Sequence, residues 1–185
     1  LLHDNVRSAD LAHVRDPLMA RVEAALFGAE EPMTRRVLSA LVESPRSADS
    51  GRAIAALQAA LDSEECAFQI VELAGGFQLL TRPVYFSWLA RLRQGAGEGR
   101  LTATLLETLA IVAYRQPIMR ADLEVIRGVD CRDSLQELMV RGLVRISGRD
   151  ESLGRPILYS TTKRFLQLFG LRDLSDLPSL ETAKK

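Results

Sequence analysis

Residues 101–161, LTATLLETLAIVAYRQPIMRADLEVIRGVDCRDSLQELMVRGLVRISGRDESLGRPILYST, decide the fold. Leu105, Leu106, Leu109, Val112 and Ala113 recur at the three- and four-residue spacing of one helix face. Gln116-Pro117-Ile118 ends that helix, because proline lacks a backbone donor and pushes the residue before it out of the helical region. Leu123 and Ile126 mark a short second helix that closes at Arg127-Gly128. A third carries Leu135, Leu138 and Met139 and stops at Gly142, since glycine accepts the left-handed backbone of a helix C-terminus. The period then changes to two. Leu143 to Ser147 alternates as a strand, Gly148 to Pro156 reads as a loop, and Ile157 to Ser160 returns. Three helices followed by a hairpin is the order of a winged helix-turn-helix.

The first half repeats that order. Leu18, Val22, Ala25 and Leu26 follow Pro17, which suits a first helical turn, and the helix ends near Gly28. Thr34 is placed to cap a second helix whose stripe is Val37, Leu38, Leu41 and Val42, with a stop at Ser44-Pro45. A third carries Ile54, Leu57 and Leu61. Phe68, Ile70 and Glu72 alternate towards Gly75-Gly76, a tight turn, and Phe77, Leu79 and Thr81 come back. Glu31-Pro32-Met33 stands 85 residues before Gln116-Pro117-Ile118, and Thr81-Arg82-Pro83-Val84-Tyr85 stands 80 before Thr161-Thr162-Lys163-Arg164-Phe165. Such offsets point to an internal duplication. The expected fold class is therefore mainly α with small β-hairpins, an α+β chain of two tandem winged helix-turn-helix domains. The expected boundaries are a leader at 1–16, an N-terminal winged helix at 17–93, a Gly-rich linker at 94–100 (QGAGEGR), a C-terminal winged helix at 101–170 and a tail at 171–185. In the tail Leu171, Leu174, Leu177 and Leu180 recur every three residues, a pattern expected to fold back on the second domain.

Composition narrows the function classes. Of 185 residues, 47% are hydrophobic and 5% aromatic, and 24 basic side chains balance 24 acidic ones, which excludes fibrous, disordered and disulfide-scaffold chains. No apolar stretch approaches the roughly 20 residues of a membrane-crossing helix. Nothing resembles a secretory signal, so the expectation is a cytoplasmic protein. Cys66 and Cys131 are 65 residues apart, and His3 and His13 lie together in the leader, so no metal site and no activated thiol nucleophile is visible. There is no Walker loop, no Gly-x-Ser-x-Gly and no glycine-rich turn between strand and helix. Glu30-Glu31 and Glu64-Glu65 read as solvated helix edges. We therefore expect neither a cofactor nor catalysis.

Two readings of the scaffold stay open on these grounds. A winged helix commonly reads DNA through its third helix, as in a transcriptional regulator. Here the exposed positions of the first such helix include Arg52, Gln58, Asp62, Glu64 and Glu65, and those of the second Arg132, Asp133, Gln136, Glu137 and Arg141. Acids match or outnumber bases in both, against what phosphates favour. Residues 1–98 carry 10 basic and 13 acidic side chains and residues 99–185 carry 14 and 11, too small an asymmetry to require nucleic acid. Arg145, Arg149 and Arg155 near the second hairpin could touch a backbone, or could pair with Asp150 and Glu151. Protein contact is the favoured reading.

The chain also resembles a known family. Leu106-Glu107-Thr108-Leu109-Ala110-Ile111-Val112-Ala113-Tyr114-Arg115-Gln116-Pro117-Ile118, then Ile126-Arg127-Gly128-Val129, are similar to the segregation and condensation protein B family. So are Arg141-Gly142-Leu143-Val144, Gly154-Arg155-Pro156-Ile157-Leu158-Tyr159 with Thr161-Thr162, Phe165-Leu166, Phe169-Gly170-Leu171 and Asp176-Leu177-Pro178. The first half agrees more loosely, through Glu31-Pro32, Ala74-Gly75-Gly76-Phe77 and Thr81-Arg82-Pro83. The resemblance covers roughly residues 17–180.

It implies a non-enzymatic subunit of the bacterial condensin complex, associated with the nucleoid, in which a kleisin (segregation and condensation protein A) bridges an SMC ATPase. It further implies a homodimer formed mainly by the N-terminal domain, clasping the kleisin, with any DNA contact weak or indirect. The candidates for dimerisation are Leu18, Val22 and Leu26, whose helix must also fill its own core. For kleisin binding they are Tyr114, Arg115, Phe165 and Phe169, although the Gly-Arg-Pro and Phe-Gly-Leu motifs read equally well as a turn and a helix end. Three positions depart from the family's pattern. Met119 replaces a capping Ser or Thr, Leu153 a proline, and Cys131 a small polar residue, with Asp130 available as a substitute cap.

Overall fold

The computed structural model describes residues 15–43, 47–92 and 100–179. The expected leader up to residue 14, the Ser44-Pro45 stop, linker positions 94–99 and the tail beyond 179 lie outside the described residues. The chain divides after Trp88 into two compact units.

In the first unit α1 (Pro17–Gly28), α2 (Arg35–Leu41) and α3 (Ser47–Ser63) precede a hairpin of β1 (Phe68–Leu73) and β2 (Gly76–Thr81). Thr34 caps α2 as expected, its hydroxyl accepting the Val37 N–H at 3.3 Å. The buried face is Val22 and Leu26 of α1, Leu38 and Val42 of the second helix, and Ile54, Leu57 and Leu61 of α3. Removing each leucine from water contributes about 2 kcal/mol. Val37 and Leu41, expected on that stripe, are instead exposed. With seven residues α2 offers only a narrow face to α3, and the Ser39 and Ser50 hydroxyls, 2.6 Å apart, occupy part of that contact. The hairpin turns through Ala74 (φ 51°) and Gly75 (φ 75°), the left-handed pair that matches strand twist. After it a 3₁₀ turn, Pro83–Tyr85, leads into α4 (Phe86–Leu92), and Val84, Phe86, Trp88 and Leu92 are exposed.

The second unit contains α5 (Ala103–Arg115), β3 (Ile118–Met119), α6 (Arg120–Arg127), α7 (Arg132–Val140), β4 (Val144–Arg149), β5 (Ile157–Thr161) and α8 (Lys163–Phe169). Its sheet is antiparallel in the order β3-β5-β4, with a bulge between Ile146 and Gly148. β3 did not register in the sequence, because two residues have no detectable period. β4 runs on through Arg149, later than the alternation indicated. The core joins Leu105, Leu109 and Val112 of α5 to Leu123, Leu135, Leu138, Val144, Tyr159 and Phe165. Leu106 and Ile126, read as part of those apolar faces, are 41% and 52% exposed. Met119 gives α6 no side-chain cap. Cys131 stands at the N-cap of α7 without a side-chain cap bond, and Asp130, one residue earlier, accepts the Arg132 N–H at 2.7 Å in a local turn instead of capping the helix. Leu171 and Leu177 pack against the core, so the described part of the tail folds back.

The internal duplication is legible in the hydrogen bonds. Met33 bridges Phe77 in the first unit, as Ile118 pairs with Tyr159 in the second. Each third helix closes with a long backbone bond, Cys66 N–H to Leu61 O at 3.0 Å and Leu143 N–H to Leu138 O at 2.9 Å. The left-handed residue this closure needs is Gly142 (φ 69°) in the second unit but Glu65 (φ 51°) in the first. A side chain there costs about 1 kcal/mol, and a carboxylate also opposes the negative end of the helix dipole. Glu65→Gly is therefore expected to stabilise the first unit by roughly 1 kcal/mol in urea unfolding; an unchanged or lower midpoint would contradict this account of the closure.

The residue after each returning strand ties down the same corner by different chemistry. Arg82 donates from its guanidinium to the carbonyls of Cys66 (2.7 Å) and Leu61 (3.2 Å) and to the Asp62 carboxylate (2.5 Å). Thr162 donates its hydroxyl to Gly142 O at 2.6 Å while capping α8 through the Phe165 N–H.

Candidate functional site

The family-motif residues are occupied in holding the frame. Gln116 takes both the N–H (2.8 Å) and the hydroxyl (3.0 Å) of Thr161 on its side-chain oxygen and donates its amide to Ala113 O (3.0 Å), so one side chain joins α5 to β5. Its bond to Pro117, which is exposed, is cis. The Arg127 side chain, only 10% exposed, donates to Thr104 O at 3.1 Å and pairs with Glu107 at 2.7 Å, fastening α6 to the start of α5. Gly128 ends α6 in the left-handed region. Gly154 (φ 89°) and Arg155 (φ 45°) form the wing turn, which Pro156 closes by accepting the Asp150 N–H at 2.9 Å. Tyr159 is a core residue of β5. Gly75 supplies the first hairpin's turn, and Gly76 lies where an added Cβ would stand 2.8 Å from the Met33 carbonyl carbon.

The candidate contact residues separate. Val22 and Leu26, proposed for dimerisation, are 0% and 1% exposed, so they fill their own unit's core and have no surface for a partner; Leu18 is half-buried against that core. Phe165, proposed for the kleisin, is likewise core, 3% exposed, with its ring centroid 4.9 Å from that of Phe169. Tyr114 is half-buried and donates its hydroxyl to Pro178 O at 2.7 Å, holding the tail. Arg115 is exposed at the end of α5. Phe169, 44% exposed, lines a groove of about 720 Å³ with Leu106 and Leu168, and neither Tyr114 nor Arg115 reaches that groove. Sequence reading missed Leu168 and took Leu106 as core. The available signal was that Leu106 falls one position off the 105/109/112 stripe.

The ionisable groups have structural uses. Burial pushes the Cys131 thiol up, and the thiol donates to Val129 O at 3.4 Å, which suits packing and not nucleophilic attack. Arg82, then Gln58, hold the Asp62 carboxyl below its ordinary range by hydrogen bonding. Arg172 does the same for Asp176, lowering it to about 2. Among the described residues no group of His, Cys, Asp and Glu could hold a metal ion, and no helix is long and apolar enough to cross a membrane. On α7 Glu137 pairs with Arg141 at 2.5 Å. At the wing, Asp150 accepts the Ser152 N–H and Arg149 donates to Arg155 O. Among the described residues, the expected ion pairs between the wing arginines and Asp150 or Glu151 do not form.

Residues 20–180 match the family described as segregation and condensation complex subunit ScpB. The chain belongs to that family. A segregation and condensation protein B from Geobacillus thermodenitrificans is 44% identical over 178 residues, covering 96% of this chain and 84% of the relative. One from Syntrophotalea carbinolica is 44% identical over 168 residues, covering 89% and 82%. Among solved structures, ScpB from Mycobacterium tuberculosis is 29% identical, covering 84% of this chain and 98% of that one, with a TM-score of 0.40. A dimer of an ScpB N-terminal domain complexed with an ScpA peptide is 32% identical over 41% of this chain and 94% of that one, with a TM-score of 0.38. Within the ScpB family, then, the motif residues of this chain serve as joints of two winged helices.

Proposed function

We propose that the chain is a non-catalytic scaffold subunit of a bacterial SMC–kleisin complex. It acts as a homodimer that binds the kleisin, segregation and condensation protein A, and through it the SMC ATPase, in support of chromosome condensation and segregation at the nucleoid. Membership of the ScpB family supports this reading. The observation that carries it is a division of labour among side chains. Gln116, Arg127, Tyr159 and the motif glycines are occupied inside each unit, while Val84, Phe86, Trp88 and Leu92 of the first half, and Leu106, Leu168 and Phe169 of the second unit, remain exposed. Exposed aromatic and aliphatic side chains of this size are what a protein partner desolvates. The homodimer contact is assigned to exposed side chains of the first unit in place of Val22 and Leu26.

The test is size-exclusion chromatography with light scattering on the purified chain, alone and with its cognate kleisin. The expected results are a dimer alone and a stable complex at micromolar concentration or below. Failure to bind the kleisin would overturn the proposal.

A further inference from the structure

The wing of the second unit projects from the core and carries three arginines. In the hairpin of β4 and β5, residues 145–149 and 151–155 are exposed. The turn is held by its own backbone, the Asp150 N–H donating to Pro156 O and the Arg155 N–H to Ser152 O, both at 2.9 Å. The bulge between Ile146 and Gly148 sets where the arginines point. Directly opposed residues of an antiparallel pair lie on one face, and faces alternate along each strand. Arg145 stands opposite Ser160, and Arg149 stands opposite Ile157, an odd number of positions from Ser160. Without the extra residue, 145 and 149 would share a face; with it they lie on opposite faces of the ribbon.

The neighbouring acids do not take these arginines up. Among the described residues Arg145, Arg149 and Arg155 have no carboxylate partner. The Asp150 carboxylate is turned back onto the Ser152 N–H at 2.8 Å, and Glu151 beside it is exposed. Arg149 gives one donor to Arg155 O at 3.1 Å, which holds its guanidinium at the turn and leaves its other N–H groups for an anion. Of the two uses open to wing arginines, the adjacent carboxylates or a phosphate backbone, the fold leaves the second.

We propose that this wing seats in a groove of double-stranded DNA, with Arg145 facing the phosphates of one strand, Arg149 those of the other, and Arg155 at the turn. Cations on both faces of a ribbon match a groove with a phosphate wall on each side, and the major groove of B-form DNA, about 12 Å wide, admits a two-stranded ribbon. A flat anionic surface meets one face only. The turn presents Leu153 and Gly154, which have no side-chain donor or acceptor for a base edge, so the contact is with the backbone and independent of sequence. The third helix does not join it, because Glu137 holds Arg141 and Asp133 opposes phosphates. This inference goes beyond the kleisin reading and does not rest on it.

The test titrates the full chain against a labelled mixed-sequence duplex about three helical turns long, by fluorescence anisotropy across roughly 50–200 mM salt. The parent is expected to bind with a Kd of about 10⁻⁴–10⁻⁶ M, the range of sequence-independent contacts, with affinity falling as salt rises. Arg145→Ala and Arg149→Ala should each weaken binding and lower the salt slope by about one per seated wing. Glu151→Gln, which removes the exposed acid of the turn, should bind more tightly, an effect that misfolding does not produce. All three positions are exposed, so circular dichroism melting curves should stay at the parent value. Arg132→Ala, at the start of α7, is the control and should keep the parent's slope. A single strand of the same length, and vesicles of phosphatidylserine and phosphatidylcholine, should bind more weakly than the duplex. The proposal is overturned by an absence of salt-dependent duplex binding, by wing variants that keep the parent's slope, or by a loss at Arg132 in their place. Single strand or vesicles bound as tightly as the duplex would overturn it too.

Discussion

Replacing Gly76 with alanine is expected to destabilise the first unit by about 3 kcal/mol, combining the cost of overpacking with two strained backbone hydrogen bonds. The added methyl would stand 2.8 Å from the Met33 carbonyl carbon and 2.9 Å from both the Met33 oxygen and the Pro32 carbonyl carbon. These are backbone atoms and cannot rotate aside. Relief requires parting the Met33–Phe77 bridge, whose bonds measure 2.9 and 2.8 Å. Gly75→Ala is the informative neighbour. Its Cβ meets nothing within 4 Å, so only the left-handed backbone (φ 75°) is strained, at about 1 kcal/mol. Urea unfolding should therefore rank the variants parent, Gly75→Ala, Gly76→Ala, with early hydrogen exchange at the Phe77 amide in the last. Equal effects of the two alanines would contradict the close approach as the reason for glycine at 76.

The second large effect is expected from Leu138→Ala, at about 3–4 kcal/mol. Leu138 is fully buried in the core of the second unit, and its carbonyl accepts the Leu143 N–H that closes α7. Truncation removes the contacts of an isobutyl group and leaves a cavity that a core pinned by Gln116, Arg127 and Thr162 cannot collapse into. A unit of this size has total stability on the order of 5–10 kcal/mol, so the variant should be partly unfolded near physiological temperature. Val140→Ala, two residues on and 81% exposed, should stay within about 0.5 kcal/mol of the parent. A Leu138→Ala chain that melts with the parent would mean that α7 is not anchored through this residue.

The sequence yielded most where a repeating physical constraint acts over many residues. The apolar stripe 105/109/112, the pre-proline stop at Gln116, the glycine closing α7 and the alternating strands each express a periodicity or a steric rule, and the elements form where those rules place them. It yielded less where three-dimensional neighbours decide. Val37, Leu41 and Ile126 obey helical spacing yet are exposed, because a short helix meets its neighbours over a narrower face than its apolar residues span, and Leu106 lies one position off the buried 105/109/112 stripe of α5. Among the interface candidates, Val22, Leu26 and Phe165 are large apolar residues on amphipathic helices, the same property that sends them into the core. Gln116 and Arg127 stood out as motif letters, but their work as joints between helix and strand depends on Thr161, Thr104 and Glu107, which local patterns do not link to them. The groove was least legible, since Arg100, Leu106, Arg141, Arg164 and Leu168 come from separate elements and meet only in the fold.

The central claim, that this scaffold acts by binding a kleisin within an SMC complex, is tested most directly by affinity purification of the tagged chain from its own cells after nuclease treatment, with the co-eluting proteins identified by mass spectrometry. The account predicts recovery of a kleisin and an SMC ATPase together, undiminished by nuclease. Recovery of the chain without them, or only with DNA-tethered proteins that nuclease removes, would contradict it.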